Sequence, residues 1–501
     1  MSLYESFIAR FSHIRLLHQI EALLGWDQQT YMPAGAVAVR AKQLAYIAGL
    51  AHREATSSSY REALAHMIDI DTAYIKLEGL SLTAQSNLKQ WCRDFKQTTK
   101  LSEDFIQAYY TTITTATEVW KTARQTADFA LFSPWLQKVV DLNREKADLL
   151  GYVDSPYDAL IDLYEPGVTT AILSTLFTDL ECFLSKIVQK TDGKDSPYKG
   201  HFNHSFPQEA QMQFGHLLLK IMGIGSENSR LDCATHPFCS GIHPSDVRLT
   251  TNLDGGLLEH VFAVLHEGGH ALYERGLPKE EWATPAGQAA SMGLHESQSM
   301  WWEVMVGKSL PFWSYIYPKF QKQFPLFKAL TLADFYRHIN HVQASYIRIY
   351  ADEVTYPLHI ILRFELEKQL IEGRLKVLDV PQMWNAKMQT LLGITPKNDA
   401  EGCLQDIHWS SGYFGYFPTY ALGNIYAAQY FAAFAQSFPD WETQVANGSF
   451  SFINDWLCEY IHRFGRIYNA EQSIQRVTGH KLSVQPYKDY LTKKYRDLSI
   501  G

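Results

Sequence analysis

The sequence predicts a mainly α-helical fold, and three observations support this prediction. Apolar residues recur at three- and four-residue spacing in most of the long stretches, which is the periodicity of one face of an α-helix. The alternation of apolar and polar residues that is typical of strands is scarce. Segments rich in Gly, Pro, Ser, Asp and Asn are too short for flexible linkers. We therefore expect one helical domain over residues 1–501, in which residues 1–120 could form a covering lobe.

The helical periodicity and the breaker residues divide the chain into recognisable segments. The spacing predicts helices over residues 35–52, 102–150, 168–190, 207–223 and 328–374. Breaker-rich stretches fall near residues 151–157, 191–206, 224–256 and 393–424. The best candidate for a strand is VRLTTNL at residues 247–253, which predicts a small β-sheet among the helices.

Composition and charge exclude several classes of function. The net charge is −8 and no block of Lys and Arg occurs, so nucleic acid is not an expected partner. No apolar run reaches the roughly 18 residues that a membrane span needs, and charges interrupt the N-terminal stretch where a signal peptide would be apolar. The six cysteines form no CxxC pair, which favours reduced thiols over disulfides or a Cys-based zinc site. We therefore expect a cytoplasmic protein without a membrane partner.

The most informative stretch is HEGGH at residues 266–270, which lies in a segment of helical periodicity. Residues four positions apart share one face of a helix, so His266 and His270 can bind one metal ion together. Glu267 points to the side, where it can hold a water and accept its proton without occupying a coordination position. The alternative is a pair of core histidines satisfied by hydrogen bonds, with Glu267 paired locally.

The helix that carries this motif is predicted to run from about Gly256 to Arg275, with Asp254 as its N-cap. Its other residues are apolar nearly all round, so we expect it to be buried. The two glycines at 268–269 each cost about 1 kcal/mol of helix stability relative to Ala. That cost predicts a close approach at this turn, either by a neighbouring helix or by a substrate backbone.

A catalytic zinc needs three protein ligands and leaves one position for water, so a third ligand must lie elsewhere. The longer HExxHxxGxxH signature is absent. Residues 285–310 are predicted to form a second helix that starts at a proline. Glu296 near its middle would lie opposite the two histidines if the second helix packs antiparallel to the first. His295 and Glu303 are rival ligands, and each is favoured less than Glu296.

Short motifs along the chain match one known family in that family's order. They are LLGWDQQTYMP (23–33), HPF (236–238), DVRLT (246–250), HEGGHALYERG (266–276), HESQ (295–298), IRIYADE (347–353) and GCLQDIHW (402–409). On these motifs the sequence resembles the carboxypeptidase Taq family of zinc metallocarboxypeptidases over most of its length. The resemblance implies a deeply grooved helical peptidase, usually a homodimer, that removes single residues from peptide C-termini with broad specificity. It also implies Zn²⁺, with Co²⁺ as a possible substitute, bound by His266, His270 and Glu296, and Glu267 as the base.

An exopeptidase must also bind the free α-carboxylate of its peptide substrate, and a guanidinium does so through two hydrogen bonds. Arg348 is the first choice, mainly because it lies in a family motif, and we place it on a long helix. The alternative for Arg348 is a salt bridge to Asp352, four residues later on the same helix face. Arg248 is the second choice, with a structural pairing to Asp246 as its alternative.

Further polar residues of the motifs and of the aromatic segment GYFGYFPTYALG are candidates for substrate contacts. Tyr420, which we place in a loop, and His408 could share the charge that develops on the carbonyl oxygen. For Tyr420 the alternative is a loop aromatic that fills the core. Gln298 and Gln405 could bind the substrate backbone, and His236 could line the site or brace its turn.

The remaining motif residues are interpreted as support. A metal-bound His usually donates its second N–H to a carboxylate or a carbonyl, and Glu274, Asp246 or backbone oxygens could accept it. Trp26 and Asp27 are assigned to the packing of the covering lobe, because no chemistry needs them.

Three functions follow from these residues. The first is a zinc carboxypeptidase that acts on peptides. The second is a metal-dependent oligopeptidase or dipeptidyl carboxypeptidase of similar architecture. The third is a metal-stabilised binding protein without turnover.

Overall fold

A computed structural model describes residues 2–191, 196–202 and 204–498. Within these residues the chain forms twenty α-helices and one sheet of three strands. Residues 192–195 and 203, which belong to the predicted breaker stretch 191–206, lie outside the described residues. The predicted fold class, mainly helical with a small sheet, is confirmed.

The helices are α1 (Leu3–Thr30), α2 (Val37–Ala55), α3 (Ser58–Ala65), α4 (Leu82–Thr99), α5 (Glu103–Thr126), α6 (Phe129–Leu150), α7 (Pro156–Ile161), α8 (Thr170–Val188), α9 (Gln208–Ile221), α10 (Leu257–Gly276), α11 (Met292–Met300), α12 (Leu310–Gln323), α13 (Leu332–Ile339), α14 (Tyr356–Ile371), α15 (Val380–Leu392), α16 (Pro418–Ser437), α17 (Trp441–Ala446), α18 (Ser451–Tyr460), α19 (Ala470–Thr478) and α20 (Gln485–Asp497). The strands are β1 (Ser229–Cys233), β2 (Cys239–His243) and β3 (Asp246–Thr251).

The sheet lies beside the helix that carries the HEGGH motif. The central strand β3 pairs in parallel with β1 and antiparallel with β2. Both β2 and β3 pack on α10, and β2 also contacts α1. The predicted strand over 247–253 is therefore confirmed as β3, which braces α10 from one side.

The predicted helix over 328–374 is wrong in its middle. The chain forms α13, then an irregular segment with a short 3₁₀ turn at Arg348–Tyr350, and then α14. The carboxylate of Asp352 accepts hydrogen bonds from the backbone N–H groups of Gln343, Val354 and Thr355, at 2.9 to 3.1 Å. Such side-chain bonds to the backbone compete with helical hydrogen bonds, and they hold this segment in a loop.

The second predicted helix, over 285–310, starts later than expected. Pro285–Gly287 forms a single 3₁₀ turn, and α11 begins at Met292. Ser291 caps α11, and the buried carboxylate of Glu165 accepts hydrogen bonds from the Ser291 hydroxyl (2.7 Å) and the Gly293 N–H (2.8 Å). An acceptor at a helix N-terminus satisfies donors that have no helical partner, so Glu165 sets the start of α11.

The N-terminus of α10 also differs from the prediction. Its N-cap is Gly256, with φ of 115°, a conformation that glycine adopts without strain. Asp254 does not cap the helix, because the glycine pair at 255–256 separates it from the first turn.

The core consists of one large apolar cluster and one small cluster near the N-terminus. The small cluster comes from α1, α3, α4 and the turn after α3, whereas α5 packs on α6 in the large one. The covering lobe of residues 1–120 stays a prediction. All six cysteines are free thiols. Among the described residues, no helix is both long and apolar enough to cross a bilayer.

The helices α10 and α11 approach each other most closely at Gly269. A Cβ atom at this position would overlap the carbonyl oxygen of Gln298 and would lie 2.7 Å from Cα of Ser299. The expected close approach at residues 268–269 is therefore made by a neighbouring helix. On its other side α11 packs against α16, where Gly423 faces the side chain of Glu296.

We predict that Gly269→Ala destabilises the protein by about 1–3 kcal/mol, because the added methyl must push two backbones apart. The free energy of unfolding in urea measures this change. The matched control is Gly25→Ala in the C-terminal part of α1, where an added Cβ meets nothing within 4 Å. There the substitution should stabilise by about 0.5–1 kcal/mol, because Ala favours the helix. If both variants were stabilised, α10 and α11 would not be packed backbone to backbone.

Candidate metal centre

Three donor side chains converge between α10 and α11. His266 and His270 lie one turn apart on α10, and Glu296 projects from α11 towards both. The Nε2 atoms of the two histidines are 3.7 and 3.5 Å from Oε2 of Glu296. The three donor atoms all lie within 4.8 Å of one another. Two imidazole nitrogens and one carboxylate oxygen form a donor set that suits a catalytic divalent metal such as zinc.

The opposite ring nitrogen of each histidine is bound by the protein. Nδ1 of His266 is 2.8 Å from Oε2 of Glu303. Nδ1 of His270 is 3.1 Å from the backbone oxygen of His295. When Nδ1–H donates to these oxygens, the lone pair on Nε2 faces Glu296 and is free to bind a metal. The residues present therefore fit a metal ion.

Two expectations for this region need correction. Glu303 lies behind His266 as its hydrogen-bond acceptor, so its position does not suit a metal ligand. His295 lies against the far side of His270, with 2.6 Å between their Nδ1 atoms. Glu274 does not bind a ligand histidine, because its Oε1 is 2.8 Å from Nε2 of His295. The sequence could not show which of these side chains faces the metal site, since a small rotation of either helix would exchange their positions.

The cluster carries more negative than positive charge. Burial lowers the pKa of His266, but the carboxylates of Glu296, Glu303 and Glu267 outweigh burial and raise it to about 10. Burial and the neighbouring His295 lower the pKa of His270 to about 3, so this imidazole is neutral. Buried carboxylates that outnumber their cations attract a positive ion.

Glu267 is buried beside the three donors and has no fixed partner. Its carboxylate makes no hydrogen bond or ion pair with the described residues, and its side chain is not exposed on the surface. Burial raises its pKa to about 7, and the charge of His266 opposes this rise. A carboxyl group with a pKa near neutrality can both accept and return a proton.

Arg348 lies in the 3₁₀ turn between α13 and α14, not on a long helix as predicted. Its Nε and Nη2 donate to Oδ1 of Asp406 at 3.1 and 2.9 Å, and its Nη1 donates to the hydroxyl of Tyr356 at 3.0 Å. The alternative partner considered from the sequence, Asp352, is instead used by the backbone of its own loop. Arg348 is thus a buried cation held side-on by Asp406.

Tyr420 lies in the first turn of α16 rather than in a loop. Its hydroxyl is 3.2 Å from Nε2 of His408, and its ring lies 4.9 Å from Cζ of Arg348. Burial lowers the pKa of His408 to about 3, so the imidazole is neutral. Burial raises the pKa of Tyr420, and the charge of Glu296 is among the further causes. The hydroxyl is therefore near His408 and Arg348, and close enough to Glu296 for that charge to affect its pKa.

The other predicted contacts are engaged within the protein. Arg248 forms an ion pair with Asp246 at 2.9 Å and lies over the ring of Trp26. Gln298 is buried and accepts a hydrogen bond from Nε2 of His462. Gln405 accepts from the Arg348 N–H and donates to three backbone oxygens. His236 is exposed in the loop between β1 and β2, and Asp27 pairs with Arg40 in the N-terminal helices.

Sequence reasoning missed a buried charge cluster next to Arg348. Asp406 binds Arg348 through Oδ1 and Arg363 of α14 through Oδ2, at 2.7 Å from its Nε. The two arginines lower the pKa of Asp406 far below its usual value, despite its burial. The position of Asp406 within GCLQDIHW was a signal that could have found it, whereas nothing in the sequence singled out Arg363.

Known proteins resemble this chain over nearly its whole length. A family profile described as Carboxypeptidase Taq (M32) metallopeptidase matches residues 6–495. Carboxypeptidase 1 of Bacillus subtilis is 37% identical over 491 residues, which cover 97% of each chain. Thermostable carboxypeptidase 1 of Thermus thermophilus is 38% identical over 499 residues, which cover 96% of each chain. The solved structure of a Pyrococcus furiosus carboxypeptidase matches with a TM-score of 0.95 at 32% identity, covering 99% of each chain.

We predict that Glu303→Gln weakens the binding of a divalent metal by about 10- to 100-fold, because the acceptor that orients His266 loses its charge. Competition with a chromophoric chelator measures the dissociation constant. Glu259→Gln, in the first turn of α10, is the matched control and should leave the affinity unchanged. An unchanged affinity in Glu303→Gln would show that Glu303 does not orient the ligand.

Proposed function

The chain belongs to the carboxypeptidase Taq (M32) metallopeptidase family, and from this premise we propose which of its residues carry the reaction. It is a metal-dependent carboxypeptidase. We assign the metal to His266, His270 and Glu296, and the role of general base to Glu267. The observation that carries the assignment is the convergence of three donor atoms beside a buried carboxylate that has no partner among the described residues.

We propose Zn²⁺ as the metal, with Co²⁺ as a possible substitute. Two imidazoles and one carboxylate are a ligand set of catalytic zinc sites, in which one coordination position stays open. When bound, the ion would supply Lewis acidity, which polarises the scissile carbonyl and lowers the pKa of water at the open position. Glu303 and the His295 carbonyl would keep both imidazoles oriented for this task.

Glu267 would move the proton in both halves of the hydrolysis. Its pKa of about 7 allows it to accept a proton from the attacking water. The same carboxyl group can then donate that proton to the departing amine, because a group with a pKa near neutrality can both accept and return a proton. Its lack of a protein partner leaves both oxygens available for water and substrate.

Tyr420 and His408 are proposed to stabilise the carbonyl oxygen as it becomes negative. A neutral His408 carries one ring proton, and its buried Nδ1 has no partner among the described residues. At the buried Nδ1, an unpaired lone pair costs less free energy than an unpaired N–H group would. We therefore place the ring proton of His408 on Nε2. Tyr420 then accepts from His408, and its own hydroxyl proton is free to point towards substrate.

Arg348 is proposed to bind the terminal α-carboxylate. A guanidinium has five N–H donors, and the contacts with Asp406 and Tyr356 use three of those of Arg348. One hydrogen on each Nη atom has no partner among the described residues. A carboxylate can accept one hydrogen bond from each Nη atom, which gives the two-bond recognition that an exopeptidase needs. Arg248 remains the second choice for this role.

The substrate class, the oligomeric state and the location of the protein are proposed as follows. Peptide substrates follow from the family, whereas single-residue cleavage, broad specificity and a homodimer are proposed from the family resemblance. A cytoplasmic location is proposed because all six cysteines are free thiols. The contacts of Gln298, Gln405 and His236 do not strengthen their proposed substrate roles.

Digestion of one peptide distinguishes this function from a dipeptidyl carboxypeptidase, the reading that the relatives do not favour. Single-residue cleavage releases the last residue first and then the next, whereas the alternative releases dipeptides. Mass spectra taken at successive times record which fragment appears first.

We predict that Glu267→Gln lowers kcat by about 10²- to 10⁴-fold, because the amide cannot accept the proton of water. The metal content, measured by atomic emission, should not change, since Glu267 is not assigned as a ligand. Full activity in this variant would show that a group other than Glu267 accepts the proton. Loss of the metal together with activity would instead make Glu267 a ligand.

We predict that Arg348→Lys lowers kcat/KM for peptides with a free C-terminus by roughly 10- to 100-fold, because an ammonium replaces a two-bond contact with a single point charge. The slow hydrolysis of the same peptides with an amidated C-terminus should not change. The matched control is Arg248→Lys, which should alter neither rate by more than about two-fold. If Arg248→Lys lowered kcat/KM and Arg348→Lys did not, the terminal carboxylate of the substrate would be assigned to Arg248.

A further inference from the structure

A cavity of about 1340 Å³ lies apart from the metal centre. Its walls come from α12, α13, α16, α17 and α20, and none of the proposed metal ligands lines it. Small residues of α16 (Ala428, Ala432 and Ala435) leave the space open, and Phe431 and Met305 add apolar surface. Apolar walls combined with polar groups at defined places are the usual form of a small-molecule site.

Charges at the rim of the cavity differ from those inside it. Exposed residues of both signs surround the opening, and they are Arg337, Glu442, Asp489, Lys493 and Asp497. Deeper in the wall, two side chains with ammonium groups are mostly buried: Lys308 is 14% exposed and Lys494 is 6% exposed. The cavity therefore has apolar walls and two mostly buried ammonium groups, each with a carboxylate nearby.

The two lysines are not equally satisfied. Lys494 binds Glu353 at 2.6 Å and the hydroxyl of Tyr490 at 3.0 Å. Lys308 lies 3.6 Å from Oε1 of Glu303, and its ammonium makes no hydrogen bond with the described residues. Burial lowers the pKa of Lys494 to about 8, and the charge of Lys308 is a further cause, so the two cations repel each other at the same end of the cavity. A buried ammonium with unused donors needs an acceptor.

We propose that this cavity binds a small molecule with an apolar body and one carboxylate, and that the carboxylate binds Lys308. The apolar walls would receive the body of the ligand. The carboxylate would accept the unused hydrogen bonds of Lys308 and would offset its repulsion with Lys494.

Such a ligand would be coupled to the metal centre through two contacts. Lys308 is the cation beside Glu303, and Glu303 in turn accepts the hydrogen bond of His266. A carboxylate that binds Lys308 competes with Glu303 for the ammonium group of Lys308. Coupling between two sites is reciprocal. If the ligand changes the affinity of the protein for the metal at His266 by some factor, the metal must change the affinity of the protein for the ligand by the same factor.

Isothermal titration of the full-length, metal-loaded protein with decanoate tests the site. We expect saturable binding of decanoate and weaker binding of decanol, which has the same apolar body without the charge. Lys308→Met should weaken decanoate by roughly 10- to 100-fold and leave decanol unchanged. Lys493→Met, which removes an exposed rim lysine, is the matched control and should change neither affinity nor peptide hydrolysis. Equal affinities for decanoate and decanol, or an unaffected Lys308→Met, would overturn the proposal.

The variant Ala432→Trp tests whether decanoate binds in this cavity or at the metal centre, where a carboxylate could also bind. The indole would narrow the apolar part of the cavity without touching the donor cluster, so decanoate binding should weaken while peptide hydrolysis remains. An affinity for decanoate that is unchanged in Ala432→Trp would place the ligand at the metal centre and overturn the proposal. A change of mass in sedimentation on this substitution, without decanoate binding in the parent, would instead assign the cavity to contact with a second copy. These readouts measure binding and mass, so they hold whether or not the proposed catalytic residues are correct.

Discussion

The close packing of α10 against α11 at Gly269 is the constraint on which the metal centre depends. Because no side chain separates the two backbones there, Glu296 can reach both histidines of α10. Gly423 allows α16 to approach α11 from the other side and to touch the side chain of Glu296. A three-donor site needs its ligands within a few tenths of an ångström of their places, and two rigid contacts between helices supply that accuracy better than loops do.

The same packing explains how a charged site survives burial. Each group that is charged or that must stay oriented has a defined neighbour: Glu303 for His266, the His295 carbonyl for His270, and Asp406 for Arg348. Glu267 is the exception, since its carboxylate has no fixed partner among the described residues. A buried carboxylate that the protein leaves unpaired costs stability, and functional sites are where such costs are retained.

The sequence predicted those parts of the site that depend on short spacing. The pair His266 and His270 follows from four-residue periodicity, and the strand β3 follows from alternation. The pairing of Arg348 with Asp406, 58 residues apart, follows from tertiary structure alone. The break before α14 was missed because helical periodicity continues through 328–374, whereas the hydrogen bonds of Asp352 that stop the helix leave no periodic signal. Periodicity likewise could not place the start of α11, which Glu165 sets from a distant segment.

The C-terminal helix α20 connects the substrate side of the site to the rest of the fold. Glu353, five residues after Arg348, binds Lys494, Tyr495 and Tyr490 of α20 through its carboxylate. Its backbone oxygen accepts a hydrogen bond from Tyr487 of the same helix. The loop of Arg348 is therefore held between Asp406 on one side and α20 on the other. Since Lys494 lines the same cavity as Lys308, that cavity borders the supports of both the metal centre and the proposed carboxylate anchor. A molecule bound there would contact Lys308 and Lys494, which lie beside Glu303 and Glu353 and so connect the cavity to both parts of the catalytic site without touching either.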